Sequence, residues 1–345
     1  SVGMLANEST VTNENSGNIT VKNTGSVGIL GISNSTVTNK GTVTANETGS
    51  AGIYGDNSNI INTSNGKITT IKGNSAAIYA TATQAKTITN EGIIDVGNSS
   101  SAATENQGVG IYAELTSGSG PLAVSNSNNI TLNLEGSVGI FAKNLTNSVN
   151  SVTVKNSGTI TAMKNKAVGI FSDKTAVENE AGKKILLQGL SSVGILGKNG
   201  SEIVNNGIIE ALHLGTLNTT NGIVESKSVG ILSESGTAKN TGTITMNGGA
   251  SAGMLGKAGA IFSNTGTITT KGGSSAGMYA ENSTPSNSGT LDIVGEKSAG
   301  IFVKISDNNS YNIINTGDIN LKNTAVPAGE KSAGMYAEIK NGATG

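Results

Sequence analysis

The chain has 345 residues, 49 glycines, 3% aromatics, no cysteine, no tryptophan and a formal net charge of -1. Acidic and basic residues are mixed along its length without arginine or a basic block, which excludes electrostatic nucleic-acid binding. No apolar run approaches the ~20 residues a helix needs to span a bilayer, and without thiols neither disulfides nor a cysteine-based metal site can form.

From the first residues onward a pentapeptide recurs, Ser-[Ala/Val]-Gly-[Ile/Met]-[Leu/Tyr/Phe]. Its glycine falls at Gly3, Gly28, Gly52, Gly110, Gly139, Gly169, Gly194, Gly230, Gly253, Gly277, Gly300 and Gly334, and Ala77 takes its place once. The spacings run from 23 to 36 residues. Periods of this size mean stacked units, each too small to bury its own apolar face. A single array over residues 1–345 is therefore expected rather than several globular domains. With no atypical repeat at either end, the chain reads as a segment of a longer protein.

A second landmark, Asn-x-Gly-x-[Ile/Val], follows in most periods, as at Asn15-Gly17-Ile19, Asn39-Gly41-Val43 and Asn264-Gly266-Ile268. Between the landmarks lies a third short stretch such as Ser35-Thr36-Val37-Thr38. All three alternate apolar with small polar residues and are rich in β-branched side chains, the pattern of half-buried strands. Asn and Gly between them are expected to supply turn positions with φ > 0. Three strands and three turns in about 24 residues describe one coil of a β-solenoid. The fold class is thus all-β: a right-handed parallel β-helix of about 13 coils, three short strands per coil. Ile29, Ile53, Ile111 and Ile140 should stack inward, and the asparagines should form an amide column. The basic period of 23–25 residues argues for a self-sufficient, monomeric coil.

Two further columns are legible. Four residues past the motif glycine stand Glu114, Lys143, Asp173, Lys198, Glu234, Lys257, Glu281, Lys304 and Glu338, whose sign alternates without a fault. This ladder reads as register control, since opposite charges on neighbouring strands attract. Two residues past the glycine stand Tyr54, Tyr79, Tyr112, Phe141, Phe171, Tyr279, Phe302 and Tyr336. They read as a stacked aromatic ladder; the alternative is an exposed strip that receives a sugar or a protein.

Long periods mark insertions at residues 97–107, 115–122, 144–151, 211–226, 305–311 and 322–330. Insertions on solenoids collect on binding faces. Candidate partner contacts are Leu115, Pro121, Leu122 and Leu145, on adjacent coils, and Leu212, His213, Leu214 and Leu217 in the longest insertion. His213 is the single histidine; it builds no metal cluster and has no Gly-x-Ser-x-Gly elbow beside it. The aspartates are scattered over distant coils rather than paired as glycan hydrolysis requires. No catalytic residue, metal site or cofactor is expected, and a glycan-processing enzyme is the least favoured reading.

Ser298-Ala299-Gly300-Ile301-Phe302 and Asn264-Thr265-Gly266-Thr267-Ile268-Thr269 resemble the repeats of the passenger domains of large fusobacterial autotransporter adhesins, and the resemblance covers essentially the whole chain. It implies display on the bacterial surface by type V secretion, with a separate C-terminal membrane barrel. It also implies adhesion to a host-cell receptor, a surface glycan or a partner bacterium. A structural stalk that carries a distal adhesive tip is the alternative.

Overall fold

The computed structural model describes residues 1–98, 107–118, 120–148, 151–213, 225–322 and 331–340. The chain divides into two compact units, Ser1–Val177 and Glu178–Gly345. Both are built on one pattern. Each coil gives one strand to each of three sheets, here called A, B and C. The second coil shows it: Val27–Ile32 in A, Thr36–Asn39 in B and Thr42–Ala45 in C. Among the described residues thirteen strands fall in A and twelve each in B and C. Within each unit, neighbouring strands of a sheet pair in parallel. This is the expected right-handed parallel β-helix, the hand that crossovers between parallel strands favour. No helix of the described residues is long and apolar enough to cross a membrane, which says nothing of a β-barrel.

The expected isoleucine column is the core. In the first unit Ile29 pairs in register with Ile53, Ile53 with Ile78, and Ile111 with Ile140, all fully buried. In the second, Ile195, Met254, Met278 and Ile301 hold the same place. Each such side chain contributes roughly 1.5–3 kcal/mol of burial, repeated at every coil. The motif glycine beside it is a packing requirement. A Cβ at Gly28 would lie 2.5 Å from the Gly52 carbonyl oxygen and 2.5 Å from Val43 Cγ1 of sheet C.

The motif serine closes the corner from C to A. Ser26 N–H donates to Ser50 Oγ and Ser50 N–H to Ser75 Oγ, both at 3.3 Å. Ser251 repeats this onto Ser275 at 3.2 Å, and Ser275 onto Ser298 at 3.0 Å. The asparagine column closes the corner from B to C. Asn39 Nδ2 donates to Asn62 Oδ1, Asn62 to Asn90, Asn90 to Asn126 and Asn126 to Asn156, at 2.7–2.8 Å. In the second unit the column runs from Asn179 through Asn205, Asn240, Asn264 and Asn287 to Asn315.

Two expectations change here. The Asn-x-Gly spacing selects Asn15, but Asn15 is exposed and the ladder residue is Asn13, which donates to Asn39 at 2.8 Å. That turn holds two more residues, so the spacing to Gly17 lengthens. The left-handed turn positions also lie elsewhere. Gly41 is there because its Cα faces backbone, with the Gly17 oxygen 2.3 Å from where a Cβ would sit. Positive φ falls mainly just before the motif serine, as at Gly25 (68°) and Asn74 (54°), and at the corner from A to B, as at Asn34 (63°) and Asn57 (48°); Asn and Gly thus supply many of these positions as expected, but the landmark Gly41 is not one of them.

Three consecutive coils of the first unit are wider than the rest. Their A strands lengthen to Ser75–Ala82, Gly108–Leu115 and Val138–Asn144, and their B strands to Lys86–Asn90, Leu122–Asn126 and Val152–Asn156. Leu115 stacks on Ala82, Leu122 on Val152, and all four are buried. Leu115 and Leu122 are therefore core residues, which corrects the expectation that they make partner contacts. The insertion that contains them begins and ends as strand, and the added apolar residues point inward.

Candidate functional site

The outward row of sheet A carries the aromatic ladder. The rings are half-buried except Tyr336, which is exposed. In the first unit Tyr79 stacks on Tyr112 with centroids 4.5 Å apart and planes within 3°, Tyr112 on Phe141 at 4.9 Å, and Phe141 on Phe171 at 4.5 Å. Tyr54 closes the row edge-on against Tyr79 at 5.2 Å. In the second unit Tyr279 stacks on Phe302 at 4.9 Å and Phe302 on Tyr336 at 5.4 Å. Ring faces are thus taken up by neighbouring rings, and what the ladder offers outward is ring edges. Stacking of this kind stabilises by about 0.5–1.5 kcal/mol per pair beyond the area buried.

The charge ladder runs two residues further along the same strands. Lys143 stands in register between Glu114 and Asp173, with Nζ 3.9 Å from the Glu114 carboxylate. In the second unit Lys198 meets Glu234 at 3.1 Å and Lys257 meets Glu281 at 3.5 Å; Lys304 stands in register between Glu281 and Glu338. Glu114 also accepts the Tyr112 hydroxyl at 2.6 Å. Burial, reinforced by Glu114, pushes the Tyr79 and Tyr112 phenols above the ordinary tyrosine range. Burial, Glu281 and Glu338 do the same for Tyr279.

Beside the ladder each unit has an open groove that runs across the A strands. In the first unit it has a volume of about 690 Å³. Its floor is Val27, Ala51, Ala76, Val109 and Val138; Tyr54, Tyr79, Tyr112 and Phe141 form one wall. The other wall is the left-handed turn row, Gly25, Gly49, Asn74, Gln107 and Gly136. Among the described residues no charged side chain lines it. The groove of the second unit, about 600 Å³, has the same plan, with Ala252, Ala276, Ala299 and Ala333 in its floor and Leu255, Tyr279, Phe302 and Tyr336 on the ladder side. Its turn row differs: Lys227, Ala250, Ser274, Lys297 and Lys331.

The remaining sequence-selected contacts are dispersed. Leu145 is 51% exposed and Pro121 is exposed, both at the corner that leaves sheet A. Leu212 is 38% exposed and His213 is half-buried; Leu214 and Leu217 lie outside the described residues, as do 99–106 and 323–330 of the other insertions. Among the described residues no group of three or more His, Asp or Glu side chains is placed to hold a metal. The grooves were not anticipated. Their signal was present in the sequence as the small Ala/Val position beside each motif glycine, read there only as part of the strand.

A family model described as the BigA third pectate lyase-like domain matches residues 1–120, 114–284 and 264–344, which together span nearly the whole chain. No curated protein and no solved structure matches it.

Proposed function

Because the chain belongs to the family of BigA third pectate lyase-like domains, we propose that it is an attachment segment of a bacterial surface protein, with the outer face of sheet A as its contact surface. The observation that supports this is the pair of open grooves along that face, one in each unit, between the ladder and the turn row. Such grooves are preformed: the Asn and Ser columns fix the backbone beneath them, so a partner binds without the cost of ordering a loop. The reading is of binding rather than catalysis, since the carboxylates along the face serve the charge ladder. It carries with it surface display as an autotransporter passenger, and a host cell or a second bacterium as the partner. A contact through the corner insertions is a second reading, favoured by the exposed Leu145.

The test is adhesion of the purified chain to epithelial cells and to bacteria, beside a variant in which Ala51→Arg and Ala276→Arg obstruct both grooves. Loss of adhesion with an unchanged circular dichroism spectrum is the expected result. Undiminished adhesion overturns the groove reading and moves the contact to the insertions. An absence of adhesion by the parent chain itself leaves a stalk.

A further inference from the structure

One pair in the aromatic ladder differs from the rest in its chemistry. Among the described residues, Tyr79 and Tyr112 are the two tyrosines that stack face to face, with centroids 4.5 Å apart and planes within 3°. We infer that they form an oxidative cross-linking site, where a one-electron oxidant joins the two rings into dityrosine and ties two neighbouring coils of the first unit together. This does not depend on what the grooves bind.

Three observations carry it. The first is juxtaposition. The two residues are register partners on neighbouring strands, Tyr79 in Ser75–Ala82 and Tyr112 in Gly108–Leu115. Parallel rings on parallel side chains bring like edges together. The ortho carbons of one ring, where a phenoxyl radical carries much of its unpaired spin, thus lie beside those of the other. Reactants held in this way couple within one chain rather than between chains. Tyr54 meets Tyr79 at 90° and 5.2 Å, edge to face. Tyr279 and Tyr336 each stack on Phe302, which has no hydroxyl to oxidise. Rotation about χ1 and χ2 closes the remaining gap between Tyr79 and Tyr112, and the open groove beside them leaves room for it.

The second is a place for the proton. Burial and the hydrogen bond to Glu114 hold the proton on the Tyr112 oxygen, so this phenol gives up a proton along with its electron. The Glu114 carboxylate accepts from the hydroxyl at 2.6 Å, the length of a charge-assisted O–H···O⁻ bond. The third is composition. The chain has no cysteine and no tryptophan, so no thiol or indole competes with the phenols for a one-electron oxidant. Both rings are half-buried on the outward row of sheet A, within reach of an oxidant at the surface.

Tyr112 loses an electron to the oxidant and its hydroxyl proton to Glu114. Tyr79 loses an electron to the oxidant and its proton to water. The two phenoxyl radicals pair to form one bond between ortho carbons, and the hydrogen on each of these carbons moves to its ring oxygen. Two electrons and two protons leave in all, which reduce one molecule of hydrogen peroxide to two of water through a haem peroxidase. The bond closes the segment that contains the insertion 97–107 and constrains the unfolded chain as a disulfide would.

The experiment treats the dilute full chain with peroxidase and hydrogen peroxide, follows dityrosine fluorescence, and locates the link by peptide mass spectrometry. The expected product is a monomer on a denaturing gel, lighter by two hydrogens, with Tyr79 joined to Tyr112. It should be lost in Tyr112→Phe and in Tyr79→Phe. Phenylalanine already fills the next two ladder positions, Phe141 and Phe171, so both variants keep the stack, and melting temperatures report it. Tyr311→Phe should leave the yield as it is: Tyr311 donates to Asp307 at 2.6 Å, but no second ring stacks on it among the described residues. Glu114→Gln should slow the reaction. Absence of dityrosine, a link that survives Tyr112→Phe, a link mapped to Tyr54 and Tyr79, or dityrosine found only in covalent dimers overturns the inference. A rate unchanged by Glu114→Gln overturns the proton path through the carboxylate.

Discussion

Substitution of Asn90 by leucine tests whether the amide column holds the coils in register. Asn90 is fully buried; it accepts from Asn62 at 2.7 Å and donates to Asn126 at 2.7 Å and to the Gly92 carbonyl at 3.0 Å. Leucine fills similar space but strands the Asn62 amide N–H, whose other acceptor is the Gly66 oxygen at a marginal 3.5 Å. It also strands Asn126 Oδ1. Each orphaned group costs about 1–3 kcal/mol in a dry interior, so a loss of roughly 2–6 kcal/mol is expected for the pair. Stability in a solenoid is close to a sum over neighbouring coils, so the loss should be local. Amide hydrogen exchange should accelerate in strands Asn59–Asn62, Lys86–Asn90 and Leu122–Asn126, and not around Asn264. Thr89→Ala, on the outward row of the same strand, is the control and should cost under about 0.5 kcal/mol. If Asn90→Leu costs no more than this control, or accelerates exchange evenly along the chain, the amide column is not what fixes the coils. Asn90→Asp adds a pH signature. The carboxylate still accepts from Asn62 but faces the Asn126 oxygen without a proton to give. Its pKa in the folded state is therefore raised, so stability is retained below the ordinary carboxylate value and lost as pH rises through the folded one.

Phe141→Ala removes two stacking contacts, at 4.9 and 4.5 Å. It should destabilise the first unit by about 1–3 kcal/mol, read by urea unfolding and by loss of near-ultraviolet dichroism. Lys143→Glu places three acids in consecutive register positions with Glu114 and Asp173. It should cost about 0.5–1 kcal/mol at low salt and less at 1 M, given the pair's partial exposure, and Glu114→Lys in the same chain should restore part of it. Tyr79, Tyr112 and Tyr279 should ionise above the usual tyrosine range in an absorbance titration. The unfolded chain gives up these protons first, so stability is intact below pH ~10 and falls as pH rises past it. For Asp292, burial raises the pKa, but hydrogen bonds from Lys322 and Asn320 and the Lys322 charge outweigh it and leave the carboxyl below its ordinary range. That contribution is present above the ordinary carboxylate value and lost as pH falls through the folded one; Lys322→Gln should shrink the acid-side loss in a pH series of melting curves.

The sequence by itself determined whatever depends on a residue's place within one coil. Coil register follows from the recurring glycine. The inward isoleucines, the outward aromatics and the alternating charges follow from strand parity counted from it. Such features need only a fixed period and the two faces of a strand. The tertiary structure decided what depends on how a coil meets its neighbour and closes its own corners. It chose Asn13 over Asn15, because an amide column requires a position in space and turn length varies along the chain. It turned Leu115 and Leu122 inward, because an insertion that extends paired strands widens the core instead of leaving it. And it made a groove from the small residue beside each motif glycine, because a groove exists only when floor, ladder and turn row line up from coil to coil. One coil's sequence holds all three rows, but the space between them belongs to the stack.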